Sequence, residues 1–251
     1  MFCYEKKESL ATISFEREDA RNFIDTQSLS ELEAILAKIN ADSSINVVLV
    51  AGEGMFSSKI DLERVWVYED GQKFLRRFSA TSSLSSLDRP TIAAIEDEAI
   101  GQGLELALAC DIRLCTETAR FAMDHITHGD IPWDGGTQKL SRLVGKARAM
   151  EMILTGKIID AHEAQRIGLV SKVVSAQELM PLTLNMAQAI ASKGPIALRY
   201  AKEAICKGMD LSLDEGLRLE GDLYFLLHTT KDRTEGIRAF QEKRKPNFEG
   251  R

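Results

Sequence analysis

Glu105 is the residue of this sequence that most needs a chemical explanation. It stands in Gly101-Gln102-Gly103-Leu104-Glu105-Leu106-Ala107-Leu108-Ala109-Cys110, a glycine-rich turn running into a segment apolar on every face except for this one carboxylate. That is the pattern of a buried helix into which one ionisable group has been placed. An unpaired carboxylate among leucines and alanines costs several kcal/mol, so Glu105 is either half of a buried salt bridge or a carboxyl kept there to move a proton. A helix starting at such a turn has unpaired N–H groups and partial positive charge at that end. Gly101 and Gly103 let a ligand or another chain come close to the backbone, although a plain packing turn uses glycines in the same way. Read chemically, an oxygen that turns negative during a reaction is held by the backbone N–H of Gln102, and Glu105, one turn along, handles the proton.

The elements around this turn must hold it in place. Pro90-Thr91-Ile92-Ala93-Ala94-Ile95 reads as a strand leading into it, and Asp111-Ile112-Arg113-Leu114-Cys115 as the strand that follows, a βαβ-type unit with its crossover. Upstream, Phe2 to Lys6 and the alternating residues 9–15 form a hairpin. Leu29, Leu32, Ile35, Leu36 and Ile39 fall at helical spacing after a capping Asp25-Thr26, and Asn46 to Ala51 is a buried strand. From Phe56 to Tyr68 no period holds, which marks a candidate lid; Trp66 and Tyr68 either line an acyl pocket or simply pack, and Phe74, Leu75 and Phe78 return at helical spacing. From about residue 176 the pattern is helical throughout: 179–190, 196–207, 213–227 and 234–243, four helices with no strand between them, which predicts a separate C-terminal layer. The fold class is α/β, a layered or spiral core.

Composition narrows the partners. With 251 residues, 44% apolar and 28% charged, the chain can bury a sizeable core, and no apolar run is long enough to span a bilayer. The start, Met1-Phe2-Cys3-Tyr4-Glu5-Lys6-Lys7, lacks the character of a signal or transit peptide, so a cytoplasmic location and no membrane partner are expected. A formal charge of −6 speaks against nucleic acid, while Lys243-Arg244-Lys245 is a local basic patch able to hold a phosphate-bearing small molecule. The cysteines at 3, 110, 115 and 206 lack metal-ligand spacing and predict reduced thiols.

In order, these pieces resemble the crotonase superfamily, the enoyl-CoA hydratase/isomerase group, over nearly the full length. The most specific stretches are Pro90 to Ile95, Gly101-x-Gly-x-Glu105-Leu-Ala-x-x-Cys110-Asp111-Ile112, Gly129-x-Ile131-Pro132-x-x-Gly135-Gly136-Thr137-Gln138-Lys139-Leu140, Ala149 to Gly156, Ala164 to Ser171 and Glu242 to Phe248. The resemblance implies a spiral of ββα units over residues 1–192 carrying the acyl-CoA site, and a helical trimerisation region over 193–251, giving a homo-oligomer: a trimer or a dimer of trimers. It implies an acyl-CoA thioester substrate and no cofactor beyond the coenzyme A of the substrate. The thioester oxygen would be held by the N–H groups of Ile60 and Gln102. Substrate contacts would come from Asp19, Ala20 and Arg21, from Ser58, Lys59, Asp61 and Leu62, and from Tyr224 and Lys243, often across a subunit boundary.

The chain departs from the family at informative places. Hydratases of the family place a second glutamate, in a Pro-Glu pair, twenty residues after the first; here that pair is Asp124-His125. An imidazole can accept and return a proton near neutral pH, so His125 either serves as the second acid/base or fills the gap with a hydrogen bond. Plain hydratases carry small uncharged residues where this chain has Asp130, Trp133 and Asp134, and Trp133 would narrow the acyl end or stack on a flat acyl group. The loop Ser58-Lys59-Ile60-Asp61 replaces Ala-Gly-Ala-Asp, and losing that glycine restricts the backbone that carries the Ile60 donor. Three functions follow: a hydratase-type acyl-CoA lyase using Glu105 with His125; an isomerase or acyl-CoA hydrolase using the same enolate with Asp130 or Asp134; and a non-catalytic acyl-CoA-binding subunit.

Overall fold

The computed structural model describes residues 2–15, 23–24, 26–52, 59–60 and 80–251. The expected lid apart from 59–60, the residues Phe74, Leu75 and Phe78, the capping Asp25, and Asp19, Ala20, Arg21, Ser58, Asp61 and Leu62 lie outside the described residues.

The hairpin forms as expected, β1 (Phe2–Lys7) pairing antiparallel with β2 (Leu10–Phe15). A two-residue strand β3 (Phe23–Ile24) precedes α1 (Thr26–Ala41), whose Leu29, Leu32, Ile35, Leu36 and Ile39 are all buried. Next come β4 (Val47–Gly52), the short β5 (Lys59–Ile60), which pairs parallel with β3, and α2 (Ala80–Ser85). From here the chain advances in repeated turns. Each lays one strand in a six-stranded sheet and the next in a three-stranded one, then crosses back through helix. The first turn is β6 (Thr91–Ile95), β7 (Glu98–Ile100) and α3 (Gln102–Ala109). The second is β8 (Ile112–Thr116), β9 (Arg120–Ala122), a 3-10 helix (Asp124–His128), α4 (Gly136–Val144) and α5 (Lys146–Thr155). The core closes with β10 (Ile159–Asp160), α6 (Ala161–Arg166) and β11 (Lys172–Val174). This is the spiral of ββα units, with strand order β1-β2-β4-β6-β8-β11 in the large sheet and β10-β9-β7 in the small one.

Every residue of β4 and β6 is buried, as central parallel strands covered on both faces must be. Successive side chains point to opposite faces. Val48, Val50, Ala93 and Ile95 pack with α1 and α3, while Val47, Leu49, Ile92, Ala94 and Leu114 pack with Leu179 and Ala187 of α7 (Ala176–Ala191). The first of the four predicted C-terminal helices is therefore one wall of the core. Only α8 (Pro195–Gly208), α9 (Leu213–Leu227) and α10 (Lys231–Gln241) lie beyond it. The reason is that β2, β4, β6 and β8 expose a second apolar face that needs a cover, and α7 contacts all four.

A polar clip fastens α8 to the core. Lys202 Nζ lies 2.8 Å from Asp111 Oδ2 and donates to the Arg89 carbonyl at 2.8 Å, and the same Asp111 oxygen accepts from the N–H and hydroxyl of Thr91 at 2.8 and 3.0 Å. Lys202→Met keeps the aliphatic stem and removes the charged bonds, so unfolding by urea should show a loss of about 1.5–3 kcal/mol. None of the four cysteines is in a disulfide, and burial pushes the thiols of Cys110 and Cys115 up to about 12, which keeps both protonated and unreactive.

Candidate active site

The site grows from the start of α3. Gly101 precedes the helix with φ 58° and ψ −124°, a conformation that disfavours any side chain, and its N–H donates to the Ala122 carbonyl at 2.9 Å. Its own carbonyl accepts from Leu104 at 3.1 Å and Glu105 at 3.2 Å, which leaves Gln102 and Gly103 at the positive end of the helix, ahead of the first closed bonds. The far end of α3 is anchored by a cation that sequence reasoning missed. Arg113, 7% exposed, donates to the carbonyls of Ala107 at 3.3 Å, Cys110 at 2.5 Å and Leu169 at 2.8 Å. A guanidinium on the carbonyl end of a helix opposes the partial negative charge there. Burial lowers the pKa of Arg113 from its ordinary value, and nearby Cys110 and Asp111 oppose that shift.

All eight residues of α3 are buried, Glu105 completely. Its carboxylate is not half of an Arg or Lys salt bridge among the described residues. Oε1 accepts two backbone N–H bonds, from Asp134 at 2.9 Å and from Gly136 at 2.8 Å. Gly136 begins α4, so the charge also sits at a helix start. Oε2 has no hydrogen-bond partner among the described residues and faces His125 Nε2 at 3.4 Å. The imidazole comes from the 3-10 helix with 10% of its side chain exposed, and its Nδ1 is buried without a partner among the described residues. One oxygen is fixed by the backbone and the other is presented with an imidazole beside it. A carboxylate held this way keeps one oxygen in position to exchange a proton.

Gly136 is required by this close approach. A Cβ there would meet Glu105 Oε1 at 2.8 Å, Pro132 Cβ at 2.8 Å and Met123 Cε at 3.0 Å. Gly136→Ala should lower stability by about 1–3 kcal/mol through overpacking and reduce turnover as the carboxylate is displaced. A melting curve and a steady-state assay on the same preparation measure both effects.

The other expected site residues are placed as follows. Asp134 is 3% exposed, and its carboxylate turns away to α2: Oδ2 accepts from the Thr81 N–H at 3.2 Å and Oδ1 from the Thr81 hydroxyl at 2.8 Å. Asp130 Oδ1 accepts from the next residue, Ile131 N–H, at 2.7 Å. Trp133 is half-buried against the main core. The backbone of Lys59 and Ile60 runs in β5 opposite Phe23 and Ile24, and β5 packs against α3, so the segments carrying Ile60 and Gln102 are neighbours. Both polar atoms of the Gln102 side chain are buried without partners among the described residues. Tyr224 lies on α9, 56% exposed with its ring edge-on to His228, and Lys243 follows α10 with φ 53°. Those two residues lie in the C-terminal region rather than in the loop that holds Glu105.

Residues 5–251 match the family described as Enoyl-CoA hydratase/isomerase. The Bacillus subtilis protein YngF is 42% identical over 98% of this chain and 96% of its own length. The Crotonyl-CoA hydratase of Syntrophomonas wolfei is 35% identical over 97% and 96%. A crystal structure of an enoyl-CoA hydratase from Bacillus anthracis superposes with a TM-score of 0.94 at 38% identity, covering 100% of this chain and 99% of that one. Likeness at this level runs through the helix that holds Glu105, both sheets around it and the C-terminal helices alike, and on that ground the chain belongs to the enoyl-CoA hydratase/isomerase family.

Proposed function

We propose that this enzyme is an enoyl-CoA hydratase, adding water to, or removing it from, the carbon–carbon double bond of an enoyl- or dienoyl-CoA. The observation that carries this reading is the divided carboxylate of Glu105, with Oε1 locked by the N–H groups of Asp134 and Gly136 and Oε2 turned to His125. Water bound beside Oε2 and Nε2 gives a proton to Glu105 as its oxygen bonds the β-carbon. The electron pair of the double bond moves onto the thioester oxygen, where the backbone N–H groups of Ile60 and Gln102 hold the enolate. A proton returned to the α-carbon completes the addition, with His125 assisting Glu105.

The remaining assignments follow the same reading. Asp19, Ala20, Arg21, Ser58, Lys59, Asp61 and Leu62, with Tyr224 and Lys243 from a neighbouring subunit, hold the coenzyme A portion, and Trp133 shapes the acyl end. Residues 193–251 form the oligomerisation region of a trimer or dimer of trimers, separate from the 1–192 core. The exposed Leu213, Leu217, Phe225 and Phe240 on α9 and α10 support a partner surface there. The location is cytoplasmic; no helix among the described residues is long and apolar enough to cross a membrane. The chemistry needs no cofactor besides the coenzyme A of the substrate.

Incubation with a panel of straight-chain, branched and cyclic enoyl-CoAs in heavy water, followed by mass spectrometry, tests the reading. Gain of one water with the thioester intact supports it. Deuterium exchange without hydration, or free coenzyme A, points instead to isomerisation or hydrolysis, and silence on every substrate despite coenzyme A binding points to a non-catalytic subunit.

A further inference from the structure

We infer that Asp134 and Thr81 form a positioning pair for Glu105, in which the Asp134 carboxylate secures its own backbone N–H against Glu105 and moves no proton itself. The inference rests on the reading of Glu105 as the base of the reaction.

Three acceptors of residue 134 converge on Thr81. Oδ2 takes its N–H at 3.2 Å, Oδ1 its hydroxyl at 2.8 Å, and the carbonyl oxygen of Asp134 also lies against that hydroxyl. A residue held at both its side chain and its carbonyl has little freedom to rotate its peptide N–H, and that N–H is one of the two that fix Glu105 Oε1. The carboxylate is buried and its bonds to Thr81 turn it towards α2, whereas the oxygen that faces the imidazole is Glu105 Oε2. A second contact stabilises the same arrangement. Ser85 lies one helical turn after Thr81, on the same face of α2, and receives Lys139 Nζ from α4. Lys139 is half-buried, and its charge lies close enough to Asp134 and Glu105 to be favoured by both against the cost of burial. Thus α2 is joined at Thr81 to the loop that bears one N–H donor, and at Ser85 to the helix that begins with the other. A residue without a side-chain oxygen at position 134 would leave the Thr81 hydroxyl only the backbone carbonyl to meet.

Thr81→Val, Asp134→Ala and the double variant should each lower kcat about tenfold with KM changed less than about twofold, the double being no worse than either single change. Thr81→Ser should restore the rate. In a Glu105→Gln background, Asp134→Ala should cost nothing more. Independently of any substrate, amide hydrogen exchange over residues 133–136 should be faster in Thr81→Val than in the wild type. A rate loss in Asp134→Ala with Thr81→Val unchanged would overturn the inference and make Asp134 a proton carrier; additive losses, or unchanged exchange, would overturn it as well. Wild-type turnover in Glu105→Gln would remove the reading of Glu105 while leaving the clamp to be decided by exchange, which upholds it if faster and overturns it if unchanged.

Discussion

Glu105→Gln lowers kcat by a factor on the order of 10²–10⁴, with substrate binding little changed. The carboxamide is nearly the same shape as the carboxylate. Its oxygen can still accept from the Asp134 and Gly136 N–H groups, so the backbone around it has no reason to move. The amide cannot take a proton from water, and that loss falls on the transition state alone. Steady-state hydration of a short enoyl-CoA and calorimetric binding of a saturated acyl-CoA separate the two effects. Turnover within about threefold of the wild type would sink the assignment of Glu105 as base.

His125→Ala lowers kcat by about 10², the lower end of what a positioned acid/base contributes. The imidazole lies 3.4 Å from Glu105 Oε2, largely out of solvent, and its Nδ1 is buried without a partner among the described residues. Such a group is poorly explained by packing, because an unpaired buried polar atom destabilises the fold. His125→Gln distinguishes proton transfer from gap filling: a glutamine near the wild-type rate means that a hydrogen bond suffices, and a rate as low as alanine's means that the proton matters. His125→Glu, which introduces the glutamate that the resemblance implies, should recover activity to within about tenfold of the wild type.

Much of the architecture is legible in the order of residues. The 3.6-residue spacing of Leu29, Leu32, Ile35, Leu36 and Ile39, the β-branched run of β4 and the all-apolar α3 each report local geometry and burial together, and each became the expected element. The fold family was legible because long motifs run the whole chain. Periodicity could not tell that α7 closes the sheet while α8 to α10 lie beyond it, since an apolar stripe says that a helix is covered and not by what.

The site divides in the same way. By itself the sequence determined that Glu105 is a lone carboxylate in an apolar helix behind a Gly-Gln-Gly turn, and that His125 stands where a second glutamate is expected, because residue type and order carry that information. Only the tertiary structure decided how the carboxylate is held. Asp134 and Gly136 lie 29 and 31 residues from Glu105, and their contribution is a backbone N–H that every residue but proline possesses, so no side-chain pattern announces it. The same holds for Asp134, whose carboxylate meets Thr81 53 residues away, and for Arg113, whose acceptors are main-chain carbonyls. Side-chain chemistry is written locally, whereas the direction in which a buried carboxylate points is set by which distant backbone the fold brings against it.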